Sequence, residues 1–349
     1  GTWPGEGGGP SLMFNGHMDT SYSGREPWLA GVRGFQPEPF VEDGRLFGLG
    51  ISNMKGALAC YVEAVRALQD AGVRLAGDLL VAVVCGEIEK AQWGEAQGAE
   101  YRGYAAGTRH LVSHGGVADM CILGEPTESK LVLGHFGSLW VRISTRGNFV
   151  HTAFSEGRRD QNSILRMREV LDSVLEWIPT WEAENAYRGM PAVVGVSAIQ
   201  GGFGWRVSRT PHRTDLFLDV RVPPTKPMAT ARGQVLELAR DLARRFPGHG
   251  VEAEVYVTAP GAEIDAGHPL VGILAAAHEQ VFGSPPEQDV TRWFSDASAL
   301  TRAGVPTINY GTSTGLLDMS AGENLDIDGL VKTARVYALA AMAACGVVE

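Results

Sequence analysis

Leu12-Met13-Phe14-Asn15-Gly16-His17-Met18-Asp19-Thr20 is the stretch on which the fold turns. An apolar run ends in a small residue and then presents a histidine and a carboxylate two positions apart. That is how a metal ligand and its orienting partner are set at the end of a buried strand: His17 binds an ion through one ring nitrogen, and Asp19 fixes the ring. The plainer reading is a polar turn after a strand. The rest of the chain bears on the choice.

Working outward, two more apolar runs end in the same way. Leu79-Leu80-Val81-Ala82-Val83-Val84 has the continuous apolar character of a strand covered on both faces, and it empties into Gly86-Glu87-Ile88-Glu89-Lys90. Asp119-Met120-Cys121-Ile122-Leu123 empties into Gly124-Glu125-Pro126-Thr127. The apolar residues of Ala57 to Ala71 recur at helical spacing and stop at Gly72, and Gly107 to Ser113 reads as a second amphipathic helix. Apolar strands alternating with helices predict an α/β unit with a mixed, largely parallel sheet flanked by helices. In open sheets of this kind ligands bind at the carboxyl ends of strands, where His17, Glu87 and Glu125 all stand. Asn53, in Ile51-Ser52-Asn53-Met54-Lys55-Gly56, sits at a loop-to-helix junction, where it is either a helix cap or a member of the same site.

From Gly134 the pattern changes. Leu139 to Ser144 and Asp215 to Val222 alternate like half-buried strands, with helices expected near Ser163 to Trp177 and Thr230 to Phe246 and a further strand at Val251 to Val257. This predicts a smaller α+β domain with an antiparallel sheet, residues 134–252, inserted between two halves of the first domain, 1–133 and 253–349. The α/β style resumes with a helix near Leu270 to Phe282, the strand Thr307 to Tyr310 and a helix from Ile327 to about Cys345.

A net charge of -10 with thinly spread Lys and Arg argues against nucleic acid and anionic membranes as partners and leaves small molecules as the default. No apolar run reaches the roughly 18 residues of a membrane span. The four cysteines lie far apart with no C-x-x-C pair and read as reduced thiols, which points to the cytoplasm. The chain begins at Gly1 and soon enters a core strand, so part of the natural N-terminus is expected to be missing.

The motifs together resemble the peptidase M20 family, zinc-dependent amidohydrolases similar to acetylornithine deacetylase and succinyl-diaminopimelate desuccinylase. The resemblance runs through Gly16-His17-Met18-Asp19-Thr20, Gly48-Leu49-Gly50 to Asn53-Met54-Lys55-Gly56, Gly86-Glu87, Gly124-Glu125-Pro126-Thr127, Gly147-Asn148-Phe149-Val150-His151 and Ser295-Asp296-Ala297. It implies a zinc-exopeptidase-like catalytic domain, a lid domain used for homodimerisation, and hydrolysis of N-acyl amino acids or short peptides. It also implies that His17 and Glu125 hold the first metal, Asp19 orients His17, and Glu87 shuttles the proton. His151 would then be the lid histidine that serves the developing oxyanion of a partner subunit.

Three positions depart from the pattern: Asn53 replaces the bridging aspartate, Ile88 the second metal's glutamate and Met319 its histidine. A two-zinc centre is therefore not expected. One zinc held by His17, Glu125 and the Asn53 oxygen, or none, is. An alternative register puts Gly86 at the shuttle position and Glu87 on the metal, with Glu89 as a further carboxylate.

Arg206 and Arg221 are candidate anchors for a substrate carboxylate, or are solvated or internally paired. Asp296 is placed in the pocket wall, and His135 reads as structural. Trp205 and Trp293 read as core residues ahead of acyl-group contacts. The expected function is amide-bond hydrolysis by metal-activated water. The alternatives are a pseudoenzyme that binds a metabolite, or a metal-independent catalyst of condensation, cyclisation or elimination in the inherited pocket.

Overall fold

Leu12–His17 forms the predicted strand, every residue of it buried, in a computed structural model that describes residues 1–91, 103–313 and 322–348. Met319 lies outside the described residues. The strand pairs in parallel with Leu79–Val84 on one side and Met120–Leu123 on the other, and Thr307–Asn309 continues the parallel series beyond the latter. Further strands, Thr2–Trp3 among them, extend this core to an eight-stranded sheet among the described residues. The sheet is thus mixed and largely parallel at its centre.

Side chains alternate across it. Leu12 and Phe14 face a core built with the helices Gly56–Asp70, Pro269–Phe282 and Ile327–Cys345, whereas Met13 faces Leu300, Val305 and Leu111 on the opposite side. Being covered on both faces explains the unbroken apolar runs. Fully burying side chains such as Leu12 and Phe14 contributes roughly 1.5–3 kcal/mol each. Phe14 also stacks on Tyr61, ring centroids 4.9 Å apart. Beside this sheet, Phe40–Glu42, Arg45–Phe47 and Asn324–Asp326 make a three-stranded antiparallel sheet.

The chain divides into two compact units, Gly1–Gly134 with Ala262–Glu349, and His135–Gly261. Taken by itself, the second unit is a four-stranded antiparallel sheet in the order Glu252–Ala259, Gly137–Arg146, Arg213–Val222, Val194–Gly201, with the helices Ser163–Glu184 and Met228–Arg245 packed on it. Glu252–Ala259, across which the expected boundary at residue 252 fell, pairs with Gly137–Arg146 through Val255 and Val141 and lies wholly in this unit. Val194–Gly201 escaped the sequence reading because it is an edge strand exposed along most of its length and carries little burial pattern. The helix expected to end near Trp177 runs through Pro179 to Glu184. Trp181 explains the extension: it is 2% exposed, and its indole N–H donates to the Arg221 carbonyl at 3.1 Å.

Candidate metal centre

Parallel register assembles the centre. Asn15 is level with Leu123 and His17 with Val84, so the residues that follow Leu123 and Val84 bring Glu125 and Glu87 to the edge where His17 ends. Close packing beneath the edge demands small residues. A Cβ at Gly16 would stand 2.4 Å from Met54 Cε, and one at Gly124 would stand 2.4 Å from the Tyr61 hydroxyl.

His17 is 1% exposed. Its Nε2 lies 2.9 Å from Asn53 Oδ1, 3.6 Å from Glu87 Oε2 and 3.8 Å from Glu125 Oε1. Its Nδ1 lies 3.0 Å from the main-chain oxygen of Asp19 and 3.6 Å from Asp19 Oδ1. Asp19 thus meets the ring through its carbonyl, the nearer acceptor, and through its carboxylate. The carboxylate also holds the next loop: Oδ1 accepts from the amides of Gly86 at 2.9 Å and Glu87 at 3.4 Å, and Oδ2 from that of Ile88 at 3.1 Å. Burial works to raise the Asp19 carboxyl, but its bonding to His17 and to these amides holds it down at about 2.

Both ring nitrogens of His17 face oxygens. Burial opposes charge on the ring, yet Asp19, Glu125 and Glu87 together push the imidazole up to about 10. Burial pushes Glu125 up to about 7, and burial followed by the field of Glu125 lifts Glu87 well above the usual carboxylate range. Asp296, 1% exposed, stands at the start of the Ala297–Arg302 helix. Its Oδ2 accepts from Thr108 Oγ1 at 2.6 Å, and burial pushes it up to about 6. Glu125 Oε1 and Asp296 Oδ1 are buried with no hydrogen-bond partner among the described residues.

A ring nitrogen met by three oxygens, one of them lacking any donor, is a set that seeks a cation, and nitrogen with oxygen donors suits zinc. The residues therefore fit one ion. Among the described residues His17, Glu87 and Glu125 form the one group whose ligand atoms lie close enough, all within 4.8 Å of one another; Glu89 and Asp296 are not part of it. Ile88 contributes only its main-chain amide to this region. Asn53 is not a helix cap: the helix begins at Gly56 with no side-chain cap bond, and the Asn53 oxygen rests on His17.

The other expected residues belong to the second unit. His151 Nδ1 accepts from the Ala153 amide at 3.1 Å, which puts its proton on Nε2 as a hydrogen-bond donor. Arg206 ends an exposed turn, Gly204–Arg206. Arg221 is internally paired, donating to Asp219 Oδ2 at 2.6 Å. His135 is buried as expected, its Nδ1 2.9 Å from the Phe136 carbonyl, and burial pushes it down to about 4. Trp205, expected in the core, is 79% exposed and packs against Phe203.

Sequence reasoning missed Asn15, Thr108 and Glu323. Asn15 did carry a signal, a lone polar residue within an apolar strand; its amide lies 3.4 Å from Thr108 Oγ1 beside Asp296. Glu323 is 5% exposed and accepts from the amides of Gly50 at 2.9 Å and Ser52 at 3.2 Å. Burial raises it, against those bonds.

Known proteins resemble this chain in sequence and in fold. The sequence model described as peptidase family M20/M25/M40 matches residues 13–343. N-formyl-4-amino-5-aminomethyl-2-methylpyrimidine deformylase of Bacillus subtilis strain 168 is 25% identical, over 93% of this chain and 77% of that protein. Succinyl-diaminopimelate desuccinylase of Caulobacter sp. strain K31 is 27% identical, over 94% of this chain and 80% of that protein. The solved structure of the di-peptidase Dug1p from Saccharomyces cerevisiae shares the fold with a TM-score of 0.77 at 12% identity, covering 100% of this chain and 82% of that one.

Proposed function

From the premise that this chain belongs to the peptidase family M20/M25/M40, we propose that it hydrolyses the amide bond of an N-acyl amino acid or small peptide-like metabolite with water activated at a single zinc site. The observation that carries the reading is the convergence of Asn53, Glu87 and Glu125 oxygens on His17 Nε2 within 3.8 Å, with Glu125 Oε1 lacking a hydrogen-bond donor among the described residues. The relatives named as a deformylase and a desuccinylase act on N-acyl compounds by name, which supports the substrate class.

His17 and Glu125 would hold the ion with the Asn53 oxygen beside them. Bound zinc supplies Lewis-acid polarisation of a carbonyl and a lowered pKa for water. Glu87 takes the proton from the attacking water and delivers it to the leaving nitrogen. Its burial suits it, because burial and the field of Glu125 lift its carboxyl above the usual range and make the carboxylate a stronger base. Asp19 keeps Glu87 in place by gripping the amides of Gly86, Glu87 and Ile88.

Metal analysis combined with turnover of N-acyl amino acids tests the reading. About one zinc per chain, with activity lost in chelator, is expected. Glu87→Gln should lower kcat by about 10²–10⁴-fold while retaining the zinc. Ligand binding without product, or product that persists in chelator, would replace hydrolysis with the binding or metal-independent reading.

We further propose that two copies associate through the His135–Gly261 unit and that the partner subunit's His151 donates its Nε2–H to the developing oxyanion. The exposed edge strand Val194–Gly201, with Val196 42% and Ile199 54% exposed, supports an association there. Sedimentation should return the mass of a dimer, and a monomer at working concentration would overturn the association.

A further inference from the structure

We propose that Glu323 is a positioning residue of the metal centre, its carboxylate fixing the turn that carries Asn53 so that Asn53 Oδ1 stays on His17 Nε2. The inference rests on the single-zinc reading above. Glu323 lies far from the centre in sequence and bonds to no ligand candidate side chain. It acts on the main chain: Oε2 accepts from the Gly50 amide at 2.9 Å and Oε1 from the Ser52 amide at 3.2 Å, with the Asn53 amide also turned toward it. Ser52 of the same turn is held by two further bonds. Ser52 Oγ donates to the Asn324 carbonyl at 3.0 Å, and the Ser52 carbonyl accepts from Ser313 Oγ at 2.6 Å.

Glu323 is itself firmly anchored. Its amide donates to the Arg33 carbonyl at 3.0 Å, its carbonyl accepts from the Gly48 amide at 3.3 Å, and the next residue, Asn324, pairs with Phe47 in the three-stranded sheet. The approach is close enough to require glycine: a Cβ at Gly34, which has φ +75, would stand 2.0 Å from the Glu323 carbonyl oxygen.

The physical need for such a clamp follows from the residue it positions. An aspartate is drawn to a cation by its own charge, whereas the neutral Asn53 amide is drawn weakly, so its place beside His17 has to come from the backbone. A buried carboxylate is costly unless its oxygens are bonded, and here they are bonded to amides of the turn that needs fixing.

The test is zinc affinity by chelator competition, together with the absorption spectrum of the cobalt-loaded protein, for wild type, Glu323→Gln, Asn53→Ala and the double variant. Glu323→Gln keeps the shape, and thermal unfolding confirms that each variant folds. Glu323→Gln is expected to weaken zinc binding about tenfold and to shift the cobalt spectrum when Asn53 is present. In the Asn53→Ala background its effect should shrink to within about twofold, the non-additivity of residues acting as one unit. Wild-type affinity in Glu323→Gln, or the same loss with and without Asn53, overturns the positioning role and leaves the metal reading standing. Absence of zinc binding by the wild type overturns both.

Discussion

Charged residues stand on or beside the strands of both units, and they are treated in opposite ways. In the antiparallel sheet each acid has its donors at hand. Asp219 accepts from Ser138 and Arg221, both at 2.6 Å, and Asp215 accepts from Ser144 at 2.5 Å and Arg213 at 2.8 Å. Arg142 and Arg146 pair across strands with Glu254 and Glu252. At the carboxyl edge of the parallel sheet, Glu125 and Asp296 each keep a buried oxygen without a donor among the described residues, and burial pushes both carboxyls up. Neighbouring antiparallel strands place complementary side chains directly opposite and satisfy them locally. Parallel strand ends instead gather groups of one sign from separate segments, and a bound cation is what balances them. The contrast separates Arg221, a charge with a structural role, from Glu125, which shares the His17 ring, 3.8 Å away, with the other carboxylates of the cluster.

Removing one member from each side is the strongest way to break this contrast. His17→Ala should weaken zinc binding by at least about 100-fold, since a direct ligand outweighs a supporting partner, whose loss costs about 10–100-fold. Arg221→Ala should leave zinc affinity unchanged, and equal losses in chelator competition would erase the distinction. Stability should then divide in sign. Arg221→Ala removes a charged donor from Asp219, whose side chain is 22% exposed and which keeps its bond from Ser138, and is expected to cost about 1.5 kcal/mol. Glu125→Gln in metal-free protein should gain about 1 kcal/mol, because it removes one charge from a crowded buried cluster and keeps its shape. Urea unfolding of the metal-free proteins measures both. A Glu125→Gln protein less stable than wild type would mean that the cluster is satisfied without a cation.

Much of this was legible before the structure, for identifiable reasons. The strands carrying His17, Glu87 and Glu125 are buried on both faces, so they must be apolar and the polar residues at their ends stand out. Asn53 was ambiguous because asparagine caps helices as readily as it supports a ligand, and only its 2.9 Å contact with His17 Nε2 distinguishes the two. Arg221 was ambiguous for a similar reason. Its partner, Asp219, is two residues away on the same strand, and no sequence pattern distinguishes such a pair from a substrate anchor. The helix that begins at Ser163 runs past Pro179, a residue that usually ends a helix, and burial of Trp181 carries it onward.

Apolar periodicity and short polar motifs are local properties of a chain, so the α/β class, the insertion of a second unit and the residues at the strand ends can be read along it. Which of those residues meet, and what holds them, follows from the folded packing alone. Glu323 grips Ser52 from 271 positions away, and Asp296 takes the Thr108 hydroxyl from 188 positions away. Such bonds depend on strand register and helix packing, and nothing in the spacing of residues along the chain encodes them.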